Sequence, residues 1–490
     1  RSPMLEQFFG PELTQAHVEL KQAFDPKGVF NPGKIVEPKA IDADWRFTPG
    51  QELPHVDTLF DWSLDGGLIR AVEKCNGAGV CRKTADAGGT MCPSYMVTLE
   101  EKDSTRGRAN VFRNLFLNNE DPRTALASQE LYEVMDLCLS CKGCKSECPA
   151  SVDMTRMKTE FLQHHHDAHG APLSARLFAQ YGRLSKLASW VPWLANFTFT
   201  FTLTRWIMGK LLNLATQRSM PTYAPRTFSS LHRKWRREHP ADRSKPVVGL
   251  YVDPFCEFTE PEIGMATVRV LEACGWRVER VPIEDDGRTQ LSKGFVRDAR
   301  RLSEKNVQRA TVWMGEHPEA KIVGVEPSAL LTFRDEVPDL VSPEFRAGAD
   351  ELAQRCLLLD EFITQHQGDD AFTSPFGGVD GEPLILHGHC HQKAIVGVSP
   401  TVEALTLAGY DVTALKTGCC GMAGSFGYER DHYELSMAVG ELALFPAVRD
   451  ADDRMLIAAP GTSCRHQILD GTGRVAEHPA VLLERALARA

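Results

Sequence analysis

Cys138-Leu139-Ser140-Cys141-Lys142-Gly143-Cys144-Lys145-Ser146-Glu147-Cys148-Pro149 places three cysteines at successive three-residue steps and a fourth before proline. A [4Fe–4S] cube needs one thiolate per iron, and this spacing wraps one loop around three of its corners. Pro149 ends the loop and restricts the backbone of Cys148. Zinc is the main competitor, but zinc sites usually pair two ligands per knuckle and need a second knuckle elsewhere. Three ligands inside one short loop crowd a single tetrahedral ion, so the loop reads as an iron–sulfur site.

Upstream, Cys75-Asn76-Gly77-Ala78-Gly79-Val80-Cys81 keeps the first and third positions of the same run, with Ala78 where the second thiolate would stand. After an insertion, Cys92-Pro93 supplies the fourth. In two-cluster ferredoxins the fourth cysteine of each run ligates the other cluster. On that crossing, Cys138, Cys141, Cys144 and Cys92 hold one cube, and Cys75, Cys81 and Cys148 hold a second with one corner short. The second site is expected to carry a [3Fe–4S] cluster, or a [4Fe–4S] cluster with a fourth ligand other than cysteine.

Cys92-Pro93-Ser94-Tyr95 followed by Ser104-Thr105-Arg106-Gly107-Arg108 sharpens the picture. These motifs resemble the iron–sulfur domain of FAD-linked D-lactate and D-2-hydroxyglutarate dehydrogenases. They also resemble the iron–sulfur subunits of glycolate oxidase and anaerobic glycerol-3-phosphate dehydrogenase, and the likeness spans most of residues 1–490. Cationic Arg106 and Arg108 near a cluster would favour its reduced, more negative form; the alternative is surface salt bridging.

From Pro246 onward, short apolar runs precede helical stretches, the pattern of an α/β domain. It repeats at a spacing read as 134 residues: Val248-Gly249-Leu250-Tyr251 answers Leu384-Ile385-Leu386-His387, Cys256 answers Cys390, and Leu271–Gly275 answers Leu405–Gly409. Asp285-Asp286-Gly287 then falls opposite Cys419-Cys420-Gly421, and Ser328-Ala329 lies one residue off register from Ser463-Cys464. Cys390, Cys419, Cys420 and Cys464 resemble the Cys-Cys-Gly domain of the same subunits and of heterodisulfide reductase. They are expected to converge beside His387, His389 and His391, as metal ligands or as a thiol pocket that contacts substrate or a quinone. Asp285 and Asp286 would line the corresponding pocket without metal. The departures are Gln467 three residues after Cys464, and the aspartates in the first repeat. Cys274 and Cys356 sit among apolar helix residues and read as core.

At the other end, a helix over about 11–24 leads into Asp25-Pro26-Lys27-Gly28-Val29-Phe30-Asn31-Pro32-Gly33-Lys34, which is turn chemistry. It resembles the final segment of FAD-binding oxidases that act on D-2-hydroxy acids, which assigns Asn31 and Lys34 to cofactor binding. With Arg at position 1, further sequence is expected upstream.

A chain of 490 residues with formal net charge -10 and 43% apolar residues is globular, too long for one core, and has no overall pull toward nucleic acid. Clustered cysteines and the lack of a signal peptide point to a reducing compartment, so the expected location is cytoplasmic or peripheral at the inner face of a membrane. The stretch Trp190-Val191-Pro192-Trp193 and the Phe/Thr alternation at 197–203 are too short and too polar to span, and read as a buried or interfacial element.

The expected architecture is α/β overall. Residues 1–36 end a flavin-oxidase domain, 37–70 are a linker, and 71–160 form an α-helical two-cluster ferredoxin-like domain. Residues 161–245 are a helical connector, and 246–380 and 381–490 are two pseudo-repeated α/β Cys-Cys-Gly subdomains. The resemblance implies an enzyme that oxidises a D-2-hydroxy acid at FAD, D-2-hydroxyglutarate or D-lactate foremost, and passes electrons through the clusters to a quinone or other acceptor. No flavin-binding Gly-rich segment or substrate base is visible, so this chain alone is not expected to transfer hydride. The flavin domain is fused or separate; the alternative is a free-standing iron–sulfur subunit docking a flavoprotein. An oligomer is expected.

Overall fold

The computed structural model describes residues 2–43, 50, 53–119 and 121–488. They fall into two units, Arg1–Pro54 and His55–Ala490.

In the first unit, helix Leu5–Phe24 is broken by Gly10 (φ 79°, ψ 166°), so its regular part starts at Pro11, where proline fits a first turn. Asp25 then organises the turn. Its carboxylate accepts from the amides of Val29 (2.9 Å) and Phe30 (2.8 Å) and pairs with Lys21, which holds its pKa down at about 2. Asn31 sits in the left-handed region (φ 47°), and both Asn31 and Lys34 are exposed. Phe8, Leu20, Phe24, Val29 and Phe30 are exposed, and helix Leu5–Phe24 buries no residue.

The second unit begins with a helical layer. Ser104 caps helix Thr105–Asn118 by accepting from the Gly107 amide at 2.9 Å, and Phe112 and Phe116 from this helix meet Phe161 of helix Met154–His169 in a closed aromatic core. The fully buried Glu160 carboxylate accepts from the amides of Leu59 (2.8 Å) and Phe60 (2.9 Å), which ties the irregular stretch before the cysteines onto this layer.

Two parallel sheets follow. The first takes the order β2-β1-β3-β4, from β1 (Val247–Leu250), β2 (Arg277–Arg280), β3 (Ile322–Gly324) and β4 (Cys356–Leu358). The second takes the order β6-β5-β7, from β5 (Glu382–Leu386), β6 (Tyr410–Ala414) and β7 (Leu456–Ala458). Every strand pair is parallel, which needs crossover connections, and the helices between the strands supply them and cover the sheets. The overall class is therefore α/β.

The two sheets repeat one another, since β1 lies between β2 and β3 as β5 lies between β6 and β7. The single spacing of 134 needs correction. Cys256 and Cys390 keep it, but Leu250 and Leu386, the last residues of β1 and β5, stand 136 apart, so the connection after β1 is two residues longer. An isolated parallel bridge from Ala458 to Glu477 stands where the first sheet has β4. Val248, Leu250 and Leu271 share one core with Leu384, Leu386 and Leu482, so the halves are fused through apolar packing, and Cys274 lies inside that core. Cys356 is fully buried in the core behind the first sheet.

In the first repeat, Tyr251 donates its hydroxyl to Asp286 Oδ2 at 2.9 Å, and Asp253 accepts from the amides of Phe255 and Cys256. Burial, with Asp285 beside it, pushes Asp286 up to about 8, and burial pushes Asp253 up to about 7. An aspartate that is neutral when folded and ionised when unfolded favours folding at low pH. That contribution fades as pH rises from about 4 through the folded value, by about 1.4 kcal/mol per unit. Melting temperature should therefore fall between about pH 5 and pH 8, and fall less in Asp286→Asn. Parallel pH profiles for the two proteins would show that Asp286 is already ionised at pH 5.

Candidate metal centres

The loop of Cys138, Cys141, Cys144 and Cys148 is shaped by two left-handed residues that are not glycine, Ser140 (φ 51°) and Lys142 (φ 60°). Such positions cost backbone energy and persist only where surrounding contacts fix them. Helix Gly143–Glu147 starts inside the loop, with Cys141 and Cys144 buried and Cys138 and Cys148 half-buried. Burial pushes Cys144 up to about 12 and raises Cys141, so in the folded chain these sulfurs suit a bound cation better than a free thiolate.

The first run lies against this loop. Gly143 packs so closely on the backbone beside Cys92 that a Cβ there would come within 2.8 Å of the Met91 nitrogen. Cys141 Sγ is 3.8 Å from the Thr90 carbonyl oxygen. Glu147, next to Cys148, accepts from the amides of Thr90 and Met91 and pairs with Lys83, which holds this end of the loop against the Cys75–Cys92 segment. The start of helix Thr105–Asn118 points at the same sulfurs. The Thr105 amide donates to Cys92 Sγ at 3.1 Å and the Arg106 amide to Cys81 Sγ at 3.4 Å. The neighbouring Cys92 lowers Cys81 to about 6, while Cys81 and burial raise Cys92. Amide donors aimed at a row of buried sulfurs are what thiolate ligands of a cluster require, and the residues fit such a group. Ala78 is exposed and offers no donor.

Arg106 and Arg108 divide their work. Arg106 pairs with Glu101 (2.7 Å) while its charge reaches Cys81 and Cys75. Arg108 is fully buried, which rules out a surface ion pair. It donates to the Val134 carbonyl (3.0 Å) and Ser94 Oγ (3.1 Å), and its charge acts on Cys92.

The four C-terminal cysteines come together. Cys390 and Cys419, Cys419 and Cys420, and Cys420 and Cys464 are neighbours that shift one another's protonation. One His387 nitrogen and the Sγ atoms of Cys420 and Cys464 all lie within 4.8 Å of one another. Gly421 (φ +95°) makes the approach possible, because a Cβ there would sit 2.2 Å from the Ser436 carbonyl oxygen. The neighbouring Cys419, Cys464 and His387 lower Cys420 well below an ordinary thiol, and Cys419 lowers Cys390 to about 7. Lys393 lies beside all four sulfurs and donates to the Gly418 carbonyl at 3.1 Å.

The three histidines separate by role. His389 accepts from the His391 amide at 3.1 Å and caps helix Cys390–Ile395, and His391 bonds the Ser140 carbonyl at 3.0 Å. His387 is the one that brings a ring nitrogen within 4.8 Å of both Cys420 and Cys464 sulfurs. Its Nδ1 bonds Thr417 Oγ1 at 2.7 Å, while Nε2 is buried without a partner, and burial lowers its pKa to about 4. A neutral imidazole held in place by a hydroxyl on one nitrogen, with the other nitrogen open beside thiols, has the donors that a metal ion can use.

The two groups of sulfurs adjoin. His391 reaches into the cluster loop at Ser140, Cys141 feels the charge of Cys390, and Leu139, Cys141 and Cys419 pack in one apolar cluster. Lys142, between Cys141 and Gly143, is 1% exposed and pairs with Asp335 and Glu336 of the first repeat, and Lys145 joins Asp335. Neither Lys142 nor Lys393 carries a sequence motif. A lysine within a cysteine loop is the one signal that could have singled out Lys142.

Residues 74–153 match the 4Fe-4S dicluster domain. The chain thus carries a two-cluster iron–sulfur segment. Residues 1–35 match the C-terminal domain of FAD linked oxidases. The chain is 27% identical to D-2-hydroxyglutarate dehydrogenase of Escherichia coli (strain K12), with 97% of this chain and 49% of that protein covered. It is 27% identical to one of the subunits of anaerobic glycerol-3-phosphate dehydrogenase of the same organism, over 58% of this chain and 69% of that one. Lactate utilization protein A of Bacillus velezensis is 27% identical over 43% of this chain and 86% of its own length. The chain spans about half the length of the D-2-hydroxyglutarate dehydrogenases it matches.

Removing one partner of a buried ion pair is severe, whereas a one-third exposed lysine contributes little. Lys142→Met should therefore lower unfolding free energy by about 3 kcal/mol, and Lys145→Met by less than about 1 kcal/mol. Urea denaturation of both variants checks this, and equal losses would mean Lys142 does not clamp the loop.

Proposed function

We propose that this chain is the iron–sulfur electron-transfer portion of an FAD-dependent D-2-hydroxy acid dehydrogenase, with D-2-hydroxyglutarate or D-lactate as substrate class. Electrons leave for a quinone or other acceptor through peripheral contact with a membrane. The observation that carries the reading is the direct packing of the Cys138–Cys144 loop on the Cys390, Cys419, Cys420 and Cys464 pocket. Iron–sulfur clusters, when bound, take and release electrons one at a time.

In this reading Cys138, Cys141, Cys144 and Cys92 serve one cluster, supported by the packing of Gly143 beside Cys92. Cys75, Cys81 and Cys148 serve the other, supported by the grip of Glu147 on Thr90 and Met91, with the Ala78 corner left to a non-cysteine ligand or a three-iron cluster. The ferredoxin-like layer spans 71–160, and 246–380 and 381–490 are Cys-Cys-Gly repeats, of which the second keeps all four thiols and the first only Cys256. There, Cys420, Cys464 and His387, completed by Cys390 or Cys419, form a metal-bound exit site. Residues 1–36, with Asn31 and Lys34, close a flavin domain, and the uncovered phenylalanines of helix Leu5–Phe24 support a larger apolar neighbour. Residues 37–70 link it to the clusters, and 161–245 connect them to the repeats.

The anaerobically purified protein should contain about eight irons from the two cluster runs, or about seven with a three-iron cluster, with matching acid-labile sulfide. Iron carried by the thiol pocket would add to this. Stoichiometric zinc without sulfide would remove the reading. In the full-length enzyme, Cys420→Ala should leave flavin reduction by substrate intact and slow acceptor-dependent turnover. Stopped-flow reduction compared with steady-state turnover separates the two steps, and unchanged turnover in a well-folded variant would reject the exit site.

A further inference from the structure

Between Asp167 and Glu238 the sequence has no acidic residue, although it carries eleven lysines and arginines and the whole chain has a formal charge of -10. Helices Pro192–Thr200 and Thr202–Leu211 lie at the centre of this span, separated by Phe201. The first helix buries none of its residues and the second only Gly209. Large side chains on these helices and just before them are open to solvent: Trp190, Trp193 and Leu211 are 74%, 72% and 73% exposed, and Phe197, Leu203 and Trp206 are more than half exposed. Of the two readings of this segment, buried or interfacial, its exposure within this unit removes the first.

A patch this apolar marks an interaction site, and its charge selects the partner. Exposed Arg183, Lys186 and Lys210 flank the aromatic side chains, and Lys210 Nζ stands 4.2 Å over the Trp206 ring. Tryptophans and leucines beside cations, with no carboxylate in their own segment, suit the boundary of an anionic bilayer: rings enter the headgroup layer while lysine ammoniums meet lipid phosphates. The helices, of nine and ten residues, are about 15 Å long, half the hydrocarbon thickness, so they lie along the surface. No helix among the described residues is long and apolar enough to cross a membrane.

We infer that residues 181–211 form a monotopic binding face for an anionic phospholipid bilayer. The inference rests on the reading that electrons leave toward a membrane-held acceptor, and it names the surface that brings the chain there.

The test is co-sedimentation of the full-length protein with vesicles of phosphatidylglycerol and phosphatidylcholine, and with phosphatidylcholine alone. Binding to the anionic vesicles is expected, with a blue shift of tryptophan emission and roughly tenfold weakening in Lys186→Glu/Lys210→Glu. Trp190→Ser/Trp193→Ser/Phe197→Ser should abolish it. Turnover with a soluble dye acceptor should be unchanged in both variants. No vesicle binding, equal binding to neutral vesicles, or concentration-dependent self-association that the triple substitution removes in place of vesicle binding would overturn the inference. Loss of iron in the parent protein would instead overturn the electron-transfer reading and leave vesicle binding standing.

Discussion

A lysine ammonium buried between two carboxylates holds this molecule together where its chemistry lies. Lys142 belongs to the cysteine loop, Asp335 and Glu336 belong to the α/β layer, and the pair is closed to solvent. An ion pair of this kind adds little net stability over apolar packing, but a buried charge that loses its partner is costly. The contact therefore fixes position: the loop can sit against the first repeat in one way. That placement lets His391 reach Ser140 and sets Cys141 beside Cys390. Two regions about 250 residues apart in sequence, at Ser140 and His391, thereby share one buried wall.

The repeat explains why there is one thiol pocket. Both halves have the same parallel strand order, so the ends of β1 and β5 open onto equivalent places. In the second half His387 follows β5 and faces sulfurs. In the first, Tyr251 follows β1 and bonds Asp286, which burial keeps largely protonated. A protonated carboxyl bonded to a phenol fills its own polar needs, whereas an imidazole with an open nitrogen beside thiols does not. The first half supplies structure to the second: Glu326 accepts from the Thr462 amide (2.8 Å), and Glu260 pairs with Arg465 next to Cys464.

Much of this was legible from the chain. Cysteine spacing found the cluster loop because ligand geometry is local, and strand-like runs after 246 found the parallel layer because their apolar pattern is local too. The helix start at Pro11 was readable for the same reason. Long-range contacts were not. Nothing near Lys142 announces Asp335, which lies 193 residues away, and the sorting of His387 from His389 and His391 depends on the turn that makes His389 a helix cap. The burial of Arg108 was hidden because a Gly-flanked arginine at a helix start looks like a surface residue until Val134 and Ser94 fold over it. The repeat has two spacings, 136 at the strands and 134 from Cys256 and Cys390 onward, because the connection after β1 is two residues longer.

The central claim is that iron in the cysteine loops adjoins a metal-bearing thiol pocket. Anomalous diffraction from anaerobically grown crystals, recorded at the iron and zinc edges, tests it most directly. Iron is expected at two positions, bounded by Cys138, Cys141, Cys144 and Cys92 and by Cys75, Cys81 and Cys148, and a further metal beside His387, Cys420 and Cys464. Zinc in the Cys138–Cys148 loop, or no metal density at any of these cysteines, would contradict it.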